Sequence, residues 1–331
     1  MPPRERQSTR AILMAHPGAP EVLKLVHLEL APPGAGELRI RHSAIGVNYH
    51  DVYVRSGLYE TLKLPGVPGI EAVGTIEAAG PGVTGFEVGD RIGYVTGHYG
   101  GYAEARNLDA MLAIKLPPIL SDVQWAASLM KALTACMLVQ RVHQVASGET
   151  VLVHAAAGGV GQLLCSWANH LGAHVIATVG SPAKAEIARR CGAEHVILYR
   201  EQDVAQCVAE ITRGSGVSVA YDSVGADTFQ ASIDSLGFEG KLVNFGQASG
   251  PVAPFSPAVL ASRSLAVFRP VIFHYLRTPE KLAALANGAF EALARGVIRR
   301  IDPLVLPLAQ AAEAHRLLEA RQSPGGIALT P

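Results

Sequence analysis

The chain has 331 residues, more than one ordinary core accommodates and enough for two domains of ~100 to 200 residues. Hydrophobic residues make up 49% and charged residues 17%, with 34 glycines and 21 prolines, which excludes a disordered or fibrous chain and suits a well-buried α/β enzyme. Lys+Arg and Asp+Glu each number 28, so no net charge steers the protein toward nucleic acid, an anionic membrane or an acidic partner, and ligand recognition must be local.

In chain order, residues 1–10 are polar and mixed in charge and read as a frayed tail, with no apolar stretch behind them to serve as a signal-peptide core. From Arg10 to Leu116 short β-rich runs (37–45, 72–79, 90–94) are separated by glycine, which predicts a compact β domain. Gly80-Pro81-Gly82 and the glycines of 85–90 supply the positive φ that tight turns need. Ser121 is an apt N-cap for a helix bearing Trp125, Leu129, Leu133 and Met137. From Thr150, strands at 151–154, 175–179, 196–199, 217–221 and 241–245 alternate with helical segments, the signature of a doubly wound parallel sheet. A sixth strand is expected at 264–268, then amphipathic helices at 279–295 and 308–320, with the tail returning to the first domain. Every apolar segment is broken before the ~20 residues that span a bilayer. Four cysteines, Cys136, Cys165, Cys191 and Cys207, are widely spaced, which points to reduced thiols and a cytoplasmic protein.

The strongest local signal is the buried strand at 151–154 running into Ala155-Ala156-Ala157-Gly158-Gly159-Val160-Gly161 and a helix. Aligned on G-x-G-x-x-G, Ala156 holds the first glycine position, Gly158 permits close approach of backbone to phosphate, and Gly161 permits close packing of helix on strand. Free amides at the helix start, with the helix dipole behind them, favour an anion without a lysine. At the end of the second strand, where NAD-binding proteins carry Asp or Glu, the chain reads Gly180-Ser181-Pro182-Ala183-Lys184. Small residues leave room there and Lys184 meets a 2′-phosphate, which favours NADPH over NADH; Tyr199-Arg200 adds a phenol and a second positive charge.

These residues, with Gly46-Val47-Asn48-Tyr49-His50-Asp51-Val52-Tyr53-Val54-Arg55-Ser56-Gly57-Leu58-Tyr59 and Tyr221-Asp222-Ser223-Val224-Gly225, resemble the zinc-free quinone oxidoreductases of the medium-chain dehydrogenase/reductase superfamily, the zeta-crystallin-like group. The resemblance spans nearly the whole chain. It implies an α/β fold class, a Rossmann doubly wound parallel sheet plus a GroES-like β-rich catalytic domain. The catalytic domain is expected over 1–130 and 271–331, and the NADPH-binding domain over 131–270. Zinc-dependent relatives place a metal-binding cysteine where this chain has Asn48 and a histidine where it has Ile70, and no two cysteines are close in sequence, so no metal is expected. His50 beside Asp51 reads as an ordinary polar residue.

The resemblance further implies that Asn48 and Tyr53 lie at the nicotinamide end, orienting the ring or donating to the acceptor oxygen, with Tyr53 or water as proton donor. It assigns cofactor contacts to Lys131, Thr134, Ala157, Gly158, Gly159, Val160, Gly161, Gly180, Ser181, Lys184, Tyr199, Ser223, Val224, Phe245, Gly246, Phe268, Arg269 and Arg321. Relatives pair the sixth strand across a two-fold axis, so a homodimer is expected. Without a metal, reduction suits an acceptor whose anion is delocalised, a small quinone. An NADPH-dependent alkenal or enone reductase remains an alternative, as does a non-catalytic NADPH-binding protein of structural or RNA-binding role, which balanced charge argues against.

Overall fold

The computed structural model describes residues 7–321 and 325–331. They form two compact units: one runs through Met130 and takes in Leu276–Phe290 and Arg300–Pro331, the other is Lys131–Tyr275 with Glu291–Arg299. The elements up to the second unit are β1 (Gln7–Leu13), β2 (Lys24–Leu30), β3 (Glu37–Val47), α1 (Tyr49–Ser56), β4 (Glu71–Ala79), β5 (Arg91–Val95), β6 (Ala105–Asp109), β7 (Ile114–Lys115) and α2 (Asp122–Met137). There follow β8 (Thr150–Val153), α3 (Gly159–His170), β9 (His174–Val179), α4 (Pro182–Arg190), β10 (His195–Leu198), α5 (Val204–Ile211), β11 (Val217–Asp222), α6 (Phe229–Ser235), β12 (Leu236–Asn244), β13 (Ala266–Phe268) and α7 (Ile272–Tyr275). The chain closes with α8 (Pro279–Ala294), β14 (Leu304–Pro307), α9 (Ala311–Glu319) and β15 (Ile327–Thr330).

In the first unit β1 and β2 form an antiparallel ribbon, and a larger sheet runs β14-β15-β3-β4-β5-β7 with β6 also on β3. Leu38, Ile40 and Ile45 of β3 pack with Ile76, Ile92, Tyr94, Tyr102, Ile327 and Leu329 in one core. Each such aliphatic side chain contributes roughly 1.5–3 kcal/mol by leaving water. α1 begins where it does because Asn48 is extended (φ −127°) and its N–H donates to Asp51 Oδ2 at 2.9 Å, three residues on. It stops at Gly57, whose φ of +86° a glycine adopts without penalty.

In the second unit the strands run β10-β9-β8-β11-β12-β13, every neighbouring pair parallel. Numbered within the unit this is the order 3-2-1-4-5-6 of a dinucleotide-binding sheet, with the switch point between β8 and β11. Helices on both faces leave the central strands buried on both sides, which is why β8 and β9 read as unbroken apolar runs.

Several sequence expectations change. Residues 1–6 lie outside the described residues, but Gln7 to Arg10, expected to fray, belong to β1, because the backbone pairs with β2 and the Arg10 N–H also donates to Glu104. Gly82, Gly85 and Gly89 do take positive φ, whereas Gly80 does not: a Cβ there would stand 1.7 Å from the Gly34 carbonyl oxygen. The fifth strand begins earlier, at Leu236, and the sixth is shorter, since Ser264 adopts a left-handed φ of 53° that ends the helical turn before it. The last helix is split, a 3-10 turn at Leu308–Gln310 preceding α9.

Candidate functional site

The second unit builds a nucleotide cradle from the carboxyl ends of its strands. After β8 the chain turns sharply: Ala155 takes a positive φ of 50°, so the tight-turn position falls on Ala155 and not on Ala156, where the fingerprint alignment puts it. Ala157 follows, Gly158 is the extended N-cap, and Gly159, Val160 and Gly161 form the first turn of α3. Amides of a first helical turn have no partner within the helix and carry the positive end of its dipole, so they are an anion site made of backbone. Gly161 is required by packing: a Cβ there would lie 2.4 Å from the Ala155 carbonyl oxygen and 2.8 Å from Ala156 Cα.

Beyond β9, Ser181 caps α4, its hydroxyl accepting from the Lys184 N–H at 3.4 Å, which brings the two residues together. Tyr199, just past β10, closes the same corner: a Cβ on Gly180 would stand 2.8 Å from the Tyr199 hydroxyl and 3.4 Å from Arg200 Nε. The small residue at 180 thus admits the Tyr199 phenol and the Arg200 guanidinium to the corner where a carboxylate would otherwise stand, and Lys184 follows in the first turn of α4. Such a donor set fits a 2′-phosphate.

The turns after β11 and β12 form the other half of the cradle. Asp222, fully buried, accepts through Oδ1 from Val224 N–H (2.7 Å), Gly225 N–H (3.1 Å) and Thr228 Oγ1 (2.8 Å), which fixes the Ser223-Val224 turn. Gly246 packs against Ser223, where a Cβ would lie 2.6 Å from its carbonyl oxygen, and the Phe245 N–H donates to the Asp222 carbonyl at 2.8 Å. Arg269 reaches back to the Asn244 and Gly246 carbonyls at 2.9 and 3.2 Å and to Asn244 Oδ1 at 2.7 Å, while Phe268 beside it is exposed. Lys131 and Thr134 are buried one turn apart on α2, and Thr134 Oγ1 has no hydrogen-bond partner. Asp222 Oδ2 and Asn244 Nδ2 in the same unit are also buried without a partner, and orphaned polar atoms of this kind are what a bound polar ligand would complete, so the residues present fit a dinucleotide.

The first unit holds the other residues singled out from the sequence. Glu71 is fully buried; its Oε2 accepts from Asn48 Nδ2 at 2.7 Å and its Oε1 from the Met130 N–H at 2.6 Å. Asn48, expected to orient the nicotinamide or donate to an acceptor oxygen, thus spends one amide donor on a carboxylate that holds its side chain in one orientation. Gly46 makes space for this pair, since a Cβ there would meet Ala126 O at 2.2 Å and Glu71 Oε2 at 2.4 Å. Tyr53 is buried among rings, 5.6 Å from Tyr49 and 5.0 Å from Tyr59. Arg321, in a left-handed turn, hydrogen-bonds the Tyr49 phenol and partly offsets the upward pull of burial on its pKa. His50, read as an ordinary polar residue, has Nε2 3.0 Å from the Tyr99 hydroxyl, and burial lowers its pKa to about 4. A groove of about 1210 Å³ in this unit, between Val83, Phe86, Lys115 and Phe290, contains none of these residues.

Sequence reasoning gave His50 no role in the site, carried Tyr59 only as part of the 46–59 motif, and did not single out Glu71 or Tyr99. Their contacts with Asn48, Tyr53 and one another join segments far apart in the chain and left no local signal.

Residues 34–118 match the family described as alcohol dehydrogenase GroES-like domain, and residues 159–287 the family described as zinc-binding dehydrogenase. A quinone oxidoreductase of Pseudomonas aeruginosa is 44% identical over 97% of this chain and 99% of its own length. A 2-haloacrylate reductase of a Burkholderia species is 40% identical over 95% of this chain and 96% of its own. The structure of Escherichia coli quinone oxidoreductase complexed with NADPH superposes with a TM-score of 0.94 at 40% identity, covering 97% of this chain and all of that one. The zinc in the second family's description has no donor set here: Asn48 offers an amide already bound to Glu71, Ile70 offers no donor, and among the described residues no three His, Cys, Asp or Glu side chains converge. With near full-length identity above 40% to named quinone oxidoreductases, the chain belongs to the zinc-free quinone oxidoreductase family of the medium-chain dehydrogenases/reductases.

Proposed function

We propose that this protein is an NADPH:quinone oxidoreductase, transferring reducing equivalents to small quinones without a metal ion. The observation that carries the reading is the corner at Gly180, where the Tyr199 hydroxyl and Arg200 Nε close on the turn capped by Ser181, in a chain 41–44% identical to quinone oxidoreductases along nearly its whole length. NADPH, when bound, supplies the hydride. The first turn of α3 holds the pyrophosphate, the Gly180 corner holds the 2′-phosphate, and Lys131, Thr134, Ser223, Val224, Phe245, Gly246, Phe268 and Arg269 line the remainder. Asn48, held by Glu71, orients the reacting groups. Tyr53 donates a hydrogen bond, and where required a proton, to the acceptor oxygen; water serves as the second route. Arg321 completes the site through Tyr49.

A quinone suits this machinery because hydride leaves an anion spread over a conjugated ring, which oriented neutral donors stabilise without a Lewis acid. A second reading, reduction of a conjugated double bond in an enone or haloacrylate, is favoured by the 2-haloacrylate reductase relative. We further infer a catalytic domain over 1–130 and 271–331 and a cofactor domain over 131–270. We also infer a homodimer paired along β13 and a cytoplasmic setting, the latter supported by four unpaired thiols. No helix among the described residues is long and apolar enough to cross a membrane. The decisive experiment is steady-state oxidation of NADPH by the purified protein with 1,4-naphthoquinone and, separately, 2-hexenal. Quinone turnover is expected; its absence beside alkenal turnover would replace the first reading by the second.

A further inference from the structure

Five rings gather in the first unit. Tyr49 and Tyr53 stand four residues apart on α1 and His50 and Tyr53 three apart, so all three project from neighbouring positions of the helix. Tyr59, whose N–H donates to the Tyr53 carbonyl at 3.0 Å, sets its ring edge-on to both Tyr53 (5.0 Å) and His50 (5.4 Å). Tyr99, on the loop between β5 and β6, stacks on His50 with centroids 5.9 Å apart and planes 26° from parallel. Its hydroxyl hydrogen-bonds both His50 Nε2 and Thr61 Oγ1. The cluster is therefore an electron-rich aromatic group carrying four phenol hydroxyls, of which that of Tyr99 is tied to His50 and that of Tyr53 belongs to the proposed acceptor site.

We propose that the hydrogen-bonded His50–Tyr99 pair determines acceptor specificity, taking the second oxygen of a quinone while Tyr53 takes the first. The inference rests on the quinone-reductase reading above. An electron-poor planar ring stacks favourably on phenols. A quinone that gains a hydride becomes the hydroquinone monoanion, its charge conjugated between the two ring oxygens, so donors at both ends stabilise the developing charge. A simple alkenal has one oxygen and gives an enolate, for which one donor suffices. Burial keeps the pair uncharged, lowering His50 to about 4 and raising Tyr99 above the ordinary phenol value. It therefore offers hydrogen bonds to a neutral oxidised quinone without the cost of burying a cation.

The test compares wild type, Tyr99→Phe and His50→Leu on 1,4-naphthoquinone and 2-hexenal with NADPH. Tyr99→Phe is expected to lower kcat/KM for the quinone by about tenfold or more, as for a lost oxyanion donor, and to change the alkenal value by less than about twofold. His50→Leu, which removes the pair's other half, carries the same expectation should Tyr99→Phe fold poorly. A direct readout is quenching of protein fluorescence by duroquinone without cofactor, where the dissociation constant should rise about fivefold in either variant. NADPH affinity, measured by titration, should be unchanged. Equal losses on both substrates, or unchanged selectivity, overturn the role of the pair while leaving the quinone-reductase reading standing. A wild-type protein that reduces no quinone overturns both.

Discussion

Glu71 has no exposed surface, yet both carboxylate oxygens are occupied, one by Asn48 Nδ2 and the other by the Met130 amide. A buried carboxylate is tolerable only when its lone pairs are satisfied this way, and the consequence is an Asn48 side chain with a single orientation. Lys184 is the proposed contact for the cofactor's 2′-phosphate. Lys184→Ala should raise KM for NADPH by about tenfold while leaving NADH nearly unaffected, since one charge-assisted hydrogen bond is worth ~1.5–3 kcal/mol; initial rates with each cofactor read this out. Equal losses with both cofactors would remove the assignment. Three histidines carry a pH consequence. His42, His50 and His315 are lowered from 6.5 to about 3, 4 and 3, burial being the main cause in each. The unfolded chain takes up these protons below its own value near 6.5 and the folded chain does not. Stability is therefore intact above that pH and falls as pH drops from there toward the folded values, by about 1.4 kcal/mol per pH unit for each histidine. Urea denaturation from about pH 7 to about pH 5 should show the decline, and His315→Gln should flatten it by about 1.4 kcal/mol per pH unit.

At the scale of elements, the strand-turn-helix from β8 into α3 ties nucleotide binding to packing. The turn works because Ala155 accepts a left-handed backbone and because Gly161 lets α3 approach the preceding residues closely. Gly161→Val would drive a side chain into the Ala155 carbonyl. The expected result is a loss of about 1–3 kcal/mol in stability from overpacking together with at least tenfold weaker NADPH binding. Thermal denaturation and cofactor titration measure the two separately, and intact affinity would show that the helix start is not the phosphate site. α1 shows the same economy: Asn48 is both its N-cap and a candidate site residue, so the helix terminus and the acceptor site are set by one side chain.

For the whole molecule, β10 and β13 are the two edges of the parallel sheet, and β13 is short and bears an exposed Phe268, with Phe238 of β12 also exposed. An unpaired edge invites pairing, which supports the proposed homodimer. Val267→Pro should abolish pairing on the free edge; light scattering would then report a monomer where the parent chain gives a dimer, and a monomeric parent would dispose of the dimer itself. Alternation of apolar strands with helices, the glycine turn at 158–161 and the missing carboxylate at 180–184 were all present in the sequence. Each depends on residues adjacent in the chain or on a repeating period, so local chemistry suffices to reveal it, whereas the expectation of no zinc donors at 48 and 70 rested on the family resemblance. Tertiary structure alone decided that Asn48 meets Glu71, 23 residues away, and that His50 meets Tyr99, 49 residues away. It also moved the strained turn position to Ala155. These outcomes follow from how β3, β4 and the β5–β6 loop close around one core, and no periodicity or spacing within a short segment encodes that closure.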